Sequence, residues 1–247
     1  MMSPAPLTIP EFCEALASGS TAKILRAVKE KLPMHPELPK NMGGSFQSRL
    51  SPLACVWRWP WGRRPERCFQ ALQALLAAGA DPNLPDPQGR RPLHLLLWLV
   101  DDLPPEAAKA LLAAGADPCR ESLSAPGKNP LTALNLCILH DRVPQAHWIL
   151  DAETRAARHD THVTGRMSPL VCLAYNHQTW GEQDGFRLVE RLLELGADPD
   201  VINAQGRPVQ DFSPRVSEWI KHAQACMRKR ELNTALPDVA RHSGFRL

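Results

Sequence analysis

The sequence predicts an all-α repeat solenoid, and two recurring markers support that prediction. The first is the segment Leu-Leu-Ala-Ala-Gly-Ala-Asp-Pro, which occurs unchanged at 75–82 and 111–118 and returns as Leu-Leu-Glu-Leu-Gly-Ala-Asp-Pro at 192–199. The second is a proline followed by an aliphatic residue, which recurs every 38 to 40 residues at Pro52, Pro92, Pro130, Pro169 and Pro208. Repetition at this period indicates stacked units that bury their apolar faces against one another.

Each marker is expected to set one end of a helix. Proline at the first helical position costs no hydrogen bond and presets the backbone, so each proline marker starts a helix. Gly79, Gly115 and Gly196 are expected to take the left-handed conformation that ends a helix, and the proline three residues later prevents continuation. Each repeat is therefore predicted to contain a helix, a connection, a second helix and an extended loop.

The residues at these markers resemble the ankyrin repeat family. The run 83–97, with Arg-Pro-Leu-His-Leu at 91–95, is similar to the family's finger turn and its Thr-Pro-Leu-His motif, with Arg in place of Thr. The preceding 71–83 is similar to the outer helix and its Gly-Ala-Asp-x-Asn ending. The resemblance covers about residues 10–233. It implies helix-turn-helix units joined by finger loops, and a structural role for His94 in hydrogen bonds between neighbouring repeats.

These repeats are longer than those of the family. Ankyrin units have about 33 residues, and the spacing of the markers here adds five to seven. The extra residues are expected mainly between the two helices of a repeat, at 57–66, 98–105, 139–144 and 175–185. The third repeat lacks the glycine stop, so its second helix should run on past Leu150 and the next finger should be irregular.

We predict a single domain, 1–247, composed of about five repeats and an N-terminal cap. Residues 10–32 are expected to form a helical hairpin cap, followed by a connector at 33–50. The repeats are then expected at 51–83, 84–119, 120–151, 152–200 and 201–233, with a tail at 234–247.

Composition restricts the classes of function. The net charge is only +3, with 29 basic residues among 26 acidic ones, so nothing demands a polyanion. The seven cysteines form no Cys-x-x-Cys pair, and most lie in apolar helical segments, which indicates free core thiols in a reducing compartment. No targeting segment and no apolar stretch of membrane-spanning length is found. We expect a cytoplasmic protein without membrane contact, and the richness in Ala, Arg and Pro is typical of a GC-rich bacterial genome.

No catalytic motif is present in the sequence. Neither Gly-x-Ser-x-Gly, nor a phosphate-binding glycine loop, nor His-Glu-x-x-His occurs. We therefore predict a protein that is not an enzyme and uses no cofactor, metal or small-molecule ligand. His159 and His162 have a spacing compatible with metal binding, but we interpret them as polar loop residues. Asp101 and Asp102 are expected to cap or solvate a connection.

An aromatic stripe is the candidate partner-binding site. In ankyrin proteins the fingers and the inner-helix residues just past the motif form the concave surface, and large apolar residues occupy these positions here. The residues implied are Arg58, Trp59, Trp98, Leu99, Leu136, Cys137, Tyr175 and Asn176, with Arg90 on a finger and Trp61 in the neighbouring Trp/Arg segment. Exposed apolar stripes usually mark partner sites. The alternative is that Trp59 or Trp98 packs under a longer connection.

These features favour a non-catalytic protein-protein interaction module that neutralises or regulates a partner, as immunity proteins do with a cognate toxin. A rigid surface suits this role because preorganisation avoids the ordering cost of binding. One alternative is a secreted effector that engages host proteins through the same surface. Another is nucleic-acid binding by the Trp/Arg segment 57–67, although Trp and Arg are equally typical of protein hot spots.

Overall fold

The structure is a computed structural model that describes residues 6–33, 52–60, 63–86, 89–100, 103–122, 131–152 and 168–242. Side chains are described within these ranges except at 17, 54, 57, 58, 99, 152 and 234–242. The chain divides into two compact units, 1–152 and 153–247. The boundaries of the individual repeats stay predictions.

The described residues of the first unit form four consecutive helix pairs. The pairs are α1 (Ile9–Ser18) with α2 (Thr21–Lys29), the 3₁₀ helix Pro52–Arg58 with α3 (Pro65–Ala77), α4 (Pro92–Leu99) with α5 (Pro105–Ala113), and α6 (Ala133–Leu139) with α7 (Val143–Ala152). The first helices of successive pairs pack on one another, and so do the second helices. The unit therefore has an inner and an outer helical layer, and α1 and α2 extend both layers.

The second unit repeats this two-layer arrangement. It contains α8 (Pro169–Asn176), α9 (Glu182–Glu194), α10 (Val209–Phe212) and α11 (Pro214–His242). The inner helices α8 and α10 pack together, as do the outer helices α9 and α11. The tail predicted from residue 234 is helical as far as His242, and Pro237 lies within this helix.

The glycine markers end three outer helices as predicted. Gly79, Gly115 and Gly196 have φ angles of 87°, 93° and 92°. At the first of these, the Gly79 amide donates to the Leu76 carbonyl over 3.0 Å and the Ala80 amide donates to the Leu75 carbonyl over 3.0 Å. The same pair of bonds recurs at the other two helix ends. This closure needs a left-handed residue, which glycine adopts without a steric cost.

Two of the proline markers start α-helices as predicted. Pro92 and Pro169 lie in the first turn of their α-helices, and Pro208 directly precedes α10. Pro52 starts a 3₁₀ helix instead of an α-helix. Pro130 lies outside the described residues, and α6 begins after Thr132, whose hydroxyl accepts a hydrogen bond from the Asn135 amide.

Connections of five or six residues join the helices of three pairs. They comprise residues 59–64, 100–104 and 177–181, whereas α6 and α7 are joined by 140–142 alone. The Arg142 amide donates to the Cys137 carbonyl over 2.9 Å, with Asp141 at a φ of 56° in the left-handed region. The expected insertion in the third repeat is thus shorter than predicted, because the chain turns directly from one helix into the next. The predicted continuation of α7 falls on 153–167, outside the described residues.

Candidate functional site

Tyr175 is an exposed aromatic residue on a buried inner helix of the second unit. Residues 169–174 of α8 are buried, whereas Tyr175 is 51% exposed. Its ring lies against Phe212 of α10, with the ring centroids 5.3 Å apart. Its hydroxyl accepts a hydrogen bond from Asn203 Nδ2 over 3.2 Å and donates to Gln205 Oε1 over 3.3 Å. Both ends of the side chain are therefore held while half of it remains open to solvent.

The finger that contacts Tyr175 is shaped by Asn203. The Asn203 amide donates to the Arg207 carbonyl, and the Gly206 amide donates back to the Asn203 carbonyl, both over 2.9 Å. Asn203 Oδ1 also accepts from the amides of Gln205 and Arg207, both over 3.0 Å. The neighbouring Ile202 is 44% exposed. We call the set Tyr175, Ile202, Asn203, Gln205 and Phe212 the Tyr175 surface.

Asn176, the other candidate in α8, lies beside this surface in the sequence and is half-buried. Its carbonyl accepts hydrogen bonds from the Thr179 amide over 3.3 Å and from the Thr179 hydroxyl over 2.9 Å. The backbone of Asn176 therefore closes the turn that follows α8.

Trp59 does not lie on an exposed stripe, so that expectation is wrong and burial, the alternative interpretation, holds. The side chain is 4% exposed, and its Nε1 donates to the Leu16 carbonyl over 3.1 Å. A Cβ added to Gly19 would lie 3.0 Å from both Trp59 Cα and Cδ1. Trp59 thus connects the α1–α2 hairpin to the first repeat. Its contacts are with residues 40 and 43 positions earlier, which the local sequence does not reveal.

Leu136 and Cys137 are also buried, with exposures of 1% and 0%, so their predicted exposure is wrong. The reason is the packing of α6, which contacts both α4 and α7. Residues 131–138 are buried without interruption.

Trp98 and Arg90 are half-buried and contribute to intramolecular contacts. The Trp98 ring centroid lies 5.2 Å from that of His140, and the Trp98 carbonyl accepts from Arg142 Nη2 over 2.7 Å. Arg90 Nε donates to Asp86 Oδ2 over 2.7 Å, and the Arg90 amide donates to Asp86 Oδ1 over 2.8 Å. Trp98 therefore lies partly under the next pair's connection, and Arg90 stabilises its own finger.

The remaining candidates lie outside the described part of the chain. Arg58 and Leu99 are the last residues of the 3₁₀ helix and α4, but their side chains are not described. Trp61, Asp101, Asp102, His159 and His162 are outside the described residues altogether.

Arg91, which stands in place of the motif threonine, joins successive fingers of the first unit. Its amide donates to Ser122 Oγ over 2.9 Å, its Nε donates to the Glu121 carbonyl over 3.0 Å, and its Nη1 donates to the Asn83 carbonyl. Partial burial lowers the pKa of Arg91. The arginine reaches backbone groups of two fingers, which the shorter threonine side chain cannot do.

His94 is a neutral residue in the core. It is 2% exposed, and its pKa is lowered to about 3, first by burial and then by the charge of Arg91, against the opposing effect of the backbone at Leu131 and Arg120. Neither ring nitrogen forms a hydrogen bond of ordinary geometry with the described residues. The backbone at Leu131 and Arg120, in the next finger, still interacts with the imidazole, so the contact between neighbouring repeats that the resemblance implies is present without the geometry of an ordinary hydrogen bond.

The buried thiols are protonated at neutral pH. Burial raises the pKa of Cys68 to about 11 and also raises the pKa values of Cys137 and Cys172. A buried neutral thiol packs as a small apolar group and is a poor nucleophile.

Within the described ranges, no three His, Cys, Asp or Glu side chains are grouped as metal ligands would be. In those same ranges, no helix has both the length and the apolar character to cross a bilayer.

Paired helices in two layers, left-handed glycines at the outer-helix ends and hydrogen-bonded fingers between pairs together define the ankyrin-repeat fold. The chain has this fold. It is similar to the crystal structure of the ankyrin repeat protein EF0377, with a TM-score of 0.59 and 17% identity over 89% of this chain and 98% of that one.

A second similar structure is a chain in the complex of the predatory endopeptidase Bd0816 from Bdellovibrio bacteriovorus with the immunity protein Bd3460. The TM-score is 0.55, with 18% identity over 86% of this chain and 95% of that one. No protein-family model matches the sequence, and no curated protein matches it.

Four residues of the Tyr175 surface were missed by sequence reasoning, namely Ile202, Asn203, Gln205 and Phe212. Ile202, Asn203 and Gln205 lie in the finger before Pro208, the fifth proline marker, and Phe212 lies in the helix after it. The signal was present, because family fingers and inner helices form the concave surface, but no position of the fifth repeat was carried over.

Proposed function

We propose that the chain is a non-catalytic protein-binding module and that its second unit binds a partner protein through the Tyr175 surface. The supporting observation is the half-exposed Tyr175, held by the Phe212 ring and by the amide side chains of Asn203 and Gln205. Tyrosine combines a large apolar area with a polar tip and is enriched in hot spots. Because the ring is already held, binding would cost little side-chain entropy.

The proposed role is neutralisation or regulation of that partner, as with an immunity protein acting in the bacterial cytoplasm. Its support is the similarity to a chain in a structure that contains an immunity protein together with an endopeptidase. Nucleic-acid binding by segment 57–67 is less well supported, because Trp59, the one tryptophan of the segment whose side chain is described, is buried and cannot stack on a base.

Truncation of Tyr175 tests this proposal. Tagged wild-type chain and the Tyr175→Ala variant would be used to capture proteins from the native organism, with quantification by mass spectrometry. We expect one protein to be enriched by the wild type and depleted with the variant. For the purified partner, we expect Kd to rise about 30-fold, because a central hot-spot aromatic contributes about 2 kcal/mol.

Leu232→Ala is the matched control, since Leu232 is an exposed apolar residue of the same unit, 65% exposed on α11. It should leave capture and Kd unchanged. Equal binding by all three proteins would exclude the Tyr175 surface.

If the partner has a toxic or enzymatic activity, the wild-type chain should suppress that activity and the Tyr175→Ala variant should suppress it less. Full activity of the partner in the presence of the bound wild type would exclude neutralisation.

A further inference from the structure

Three arginines cluster at the surface of the first unit, at the start of α3. Arg63, Arg64 and Arg67 are exposed, and no carboxylate pairs with them among the described residues. With Pro65 and Glu66 they line a shallow cavity of about 330 Å³. We call Arg63, Arg64 and Arg67 the arginine cluster.

These charges lie where they reduce the stability of the protein. The amino end of a helix carries a partial positive charge and favours acidic side chains. Arg64 occupies the N-cap of α3 without a side-chain capping bond, and Glu66 is the only acidic residue of the first turn. Residues that cost stability and make no compensating contact in the chain are typical of binding surfaces.

The backbone that carries the arginine cluster is held in place. The amides of Arg63 and Arg64 both donate to the Pro60 carbonyl, over 3.1 and 2.8 Å. The adjacent Trp59 is buried and hydrogen-bonded to Leu16. The three guanidinium groups are therefore attached to an ordered backbone, which reduces the entropic cost of binding an anionic partner.

We propose that the arginine cluster is a docking site for an acidic segment of a partner protein, bound through two or more Asp or Glu carboxylates. The planar guanidinium group matches a carboxylate with two parallel hydrogen bonds. A protein segment is favoured over nucleic acid because a net charge of +3 supplies no extended positive field. In addition, Trp59, the one tryptophan of segment 57–67 whose side chain is described, is buried away from any base. This site lies in the first unit and does not depend on the Tyr175 surface.

A binding experiment with a defined probe tests this site. A fluorescein-labelled oligoglutamate peptide would be titrated with the full chain and followed by fluorescence anisotropy at low and at physiological salt. The test variant combines Arg63→Gln, Arg64→Gln and Arg67→Gln. The matched control combines Arg187→Gln, Arg228→Gln and Lys229→Gln, which removes the same charge from exposed positions of the second unit. We expect binding to the wild type and the control, and a rise in Kd of about tenfold or more for the test variant.

Thermal unfolding gives a second readout. Removing charges that oppose the α3 dipole should leave the melting temperature unchanged or raise it, whereas a structural role would lower it. The proposal is overturned by absent peptide binding, by equal loss in both variants, or by a lower melting temperature of the test variant. Tighter binding of a single-stranded oligonucleotide of equal length, lost in the test variant, would overturn it in favour of nucleic acid.

Discussion

At the scale of single residues, the buried imidazole of His94 makes stability depend on pH. Its pKa in the folded protein is about 3, whereas a histidine in an unfolded chain has a pKa of about 6.5. Between these values only the unfolded state binds the proton. Stability from this group is therefore complete above about pH 6.5 and falls by about 1.4 kcal/mol per unit as the pH decreases towards 3.

We predict that His94→Gln removes this contribution. Urea unfolding measures the free energy of unfolding of the wild type and the variant at several pH values between neutrality and about 4. The difference between the two free energies should become smaller as the pH falls. Gln removes the titration whatever its own cost to stability, so the slope is the informative quantity. His222→Gln, at an exposed position, is the control. Parallel pH profiles for wild type and His94→Gln would contradict the assignment.

Residue-level predictions succeeded where the backbone conformation demands a particular residue. The left-handed glycines at Gly79, Gly115 and Gly196 could be predicted because few other residues tolerate that conformation. Exposure could not be predicted in the same way. Trp59 is covered by α1 and Leu136 by its neighbouring helices, so their environment depends on contacts distant in the sequence.

At the scale of helices, Gly185 allows α9 and α11 to approach. A Cβ at this position would overlap Cη2 and Cζ3 of the Trp219 ring and lie 2.8 Å from its Cζ2. Trp219 is 5% exposed, and its Nε1 donates to Glu182 Oε2 over 2.7 Å. Arg215 lies over the same ring and pairs with Glu182. The hydrogen bond from Trp219 and, to a smaller extent, Arg215 lower the pKa of the Glu182 carboxylate.

We predict that Gly185→Ala destabilises the protein although alanine favours helices more than glycine. Alanine should gain about 1 kcal/mol of helix propensity, but the displaced tryptophan should cost more, with a net loss of about 1 to 3 kcal/mol. Gly181→Ala is the control, because its Cβ would meet only Asp184 Oδ2 at 3.8 Å. Chemical denaturation measures both variants. A Gly185→Ala variant as stable as the wild type would exclude this packing as a constraint on the helix pair.

Helix boundaries were more predictable than helix packing. The proline and glycine markers predicted the starts of α4 and α8 and the ends of α3, α5 and α9, because they act through local backbone chemistry. The end of α11 was not predicted, since its sequence after 233 contains no clear stop before Pro237, and that proline does not end the helix. The role of Gly185 has no local signal, because it depends on the tryptophan 34 positions later.

At the scale of the whole molecule, the chain comprises two compact units, each with its own tightly packed glycine. Gly19 has a φ of 69° and a Cβ there would lie 3.0 Å from Trp59, so Gly19→Ala strains the first unit, 1–152. Gly185→Ala affects the second unit, 153–247. In repeat proteins, stability is approximately a sum of repeat and nearest-neighbour terms.

We therefore predict that Gly19→Ala and Gly185→Ala each destabilise mainly the unit in which they lie. Hydrogen exchange followed by mass spectrometry should show faster exchange at 9–29 and 52–77 in Gly19→Ala, with 169–233 close to the wild type. Gly185→Ala should show faster exchange at 169–233, with 9–29 and 52–77 close to the wild type, because the exchange rate reports the stability of the region that opens. Gly79→Ala provides a comparison for φ strain alone, since a Cβ at Gly79 meets nothing within 4 Å. Faster exchange throughout the chain in both variants would mean that the two units unfold together, and would exclude independent stability of the units.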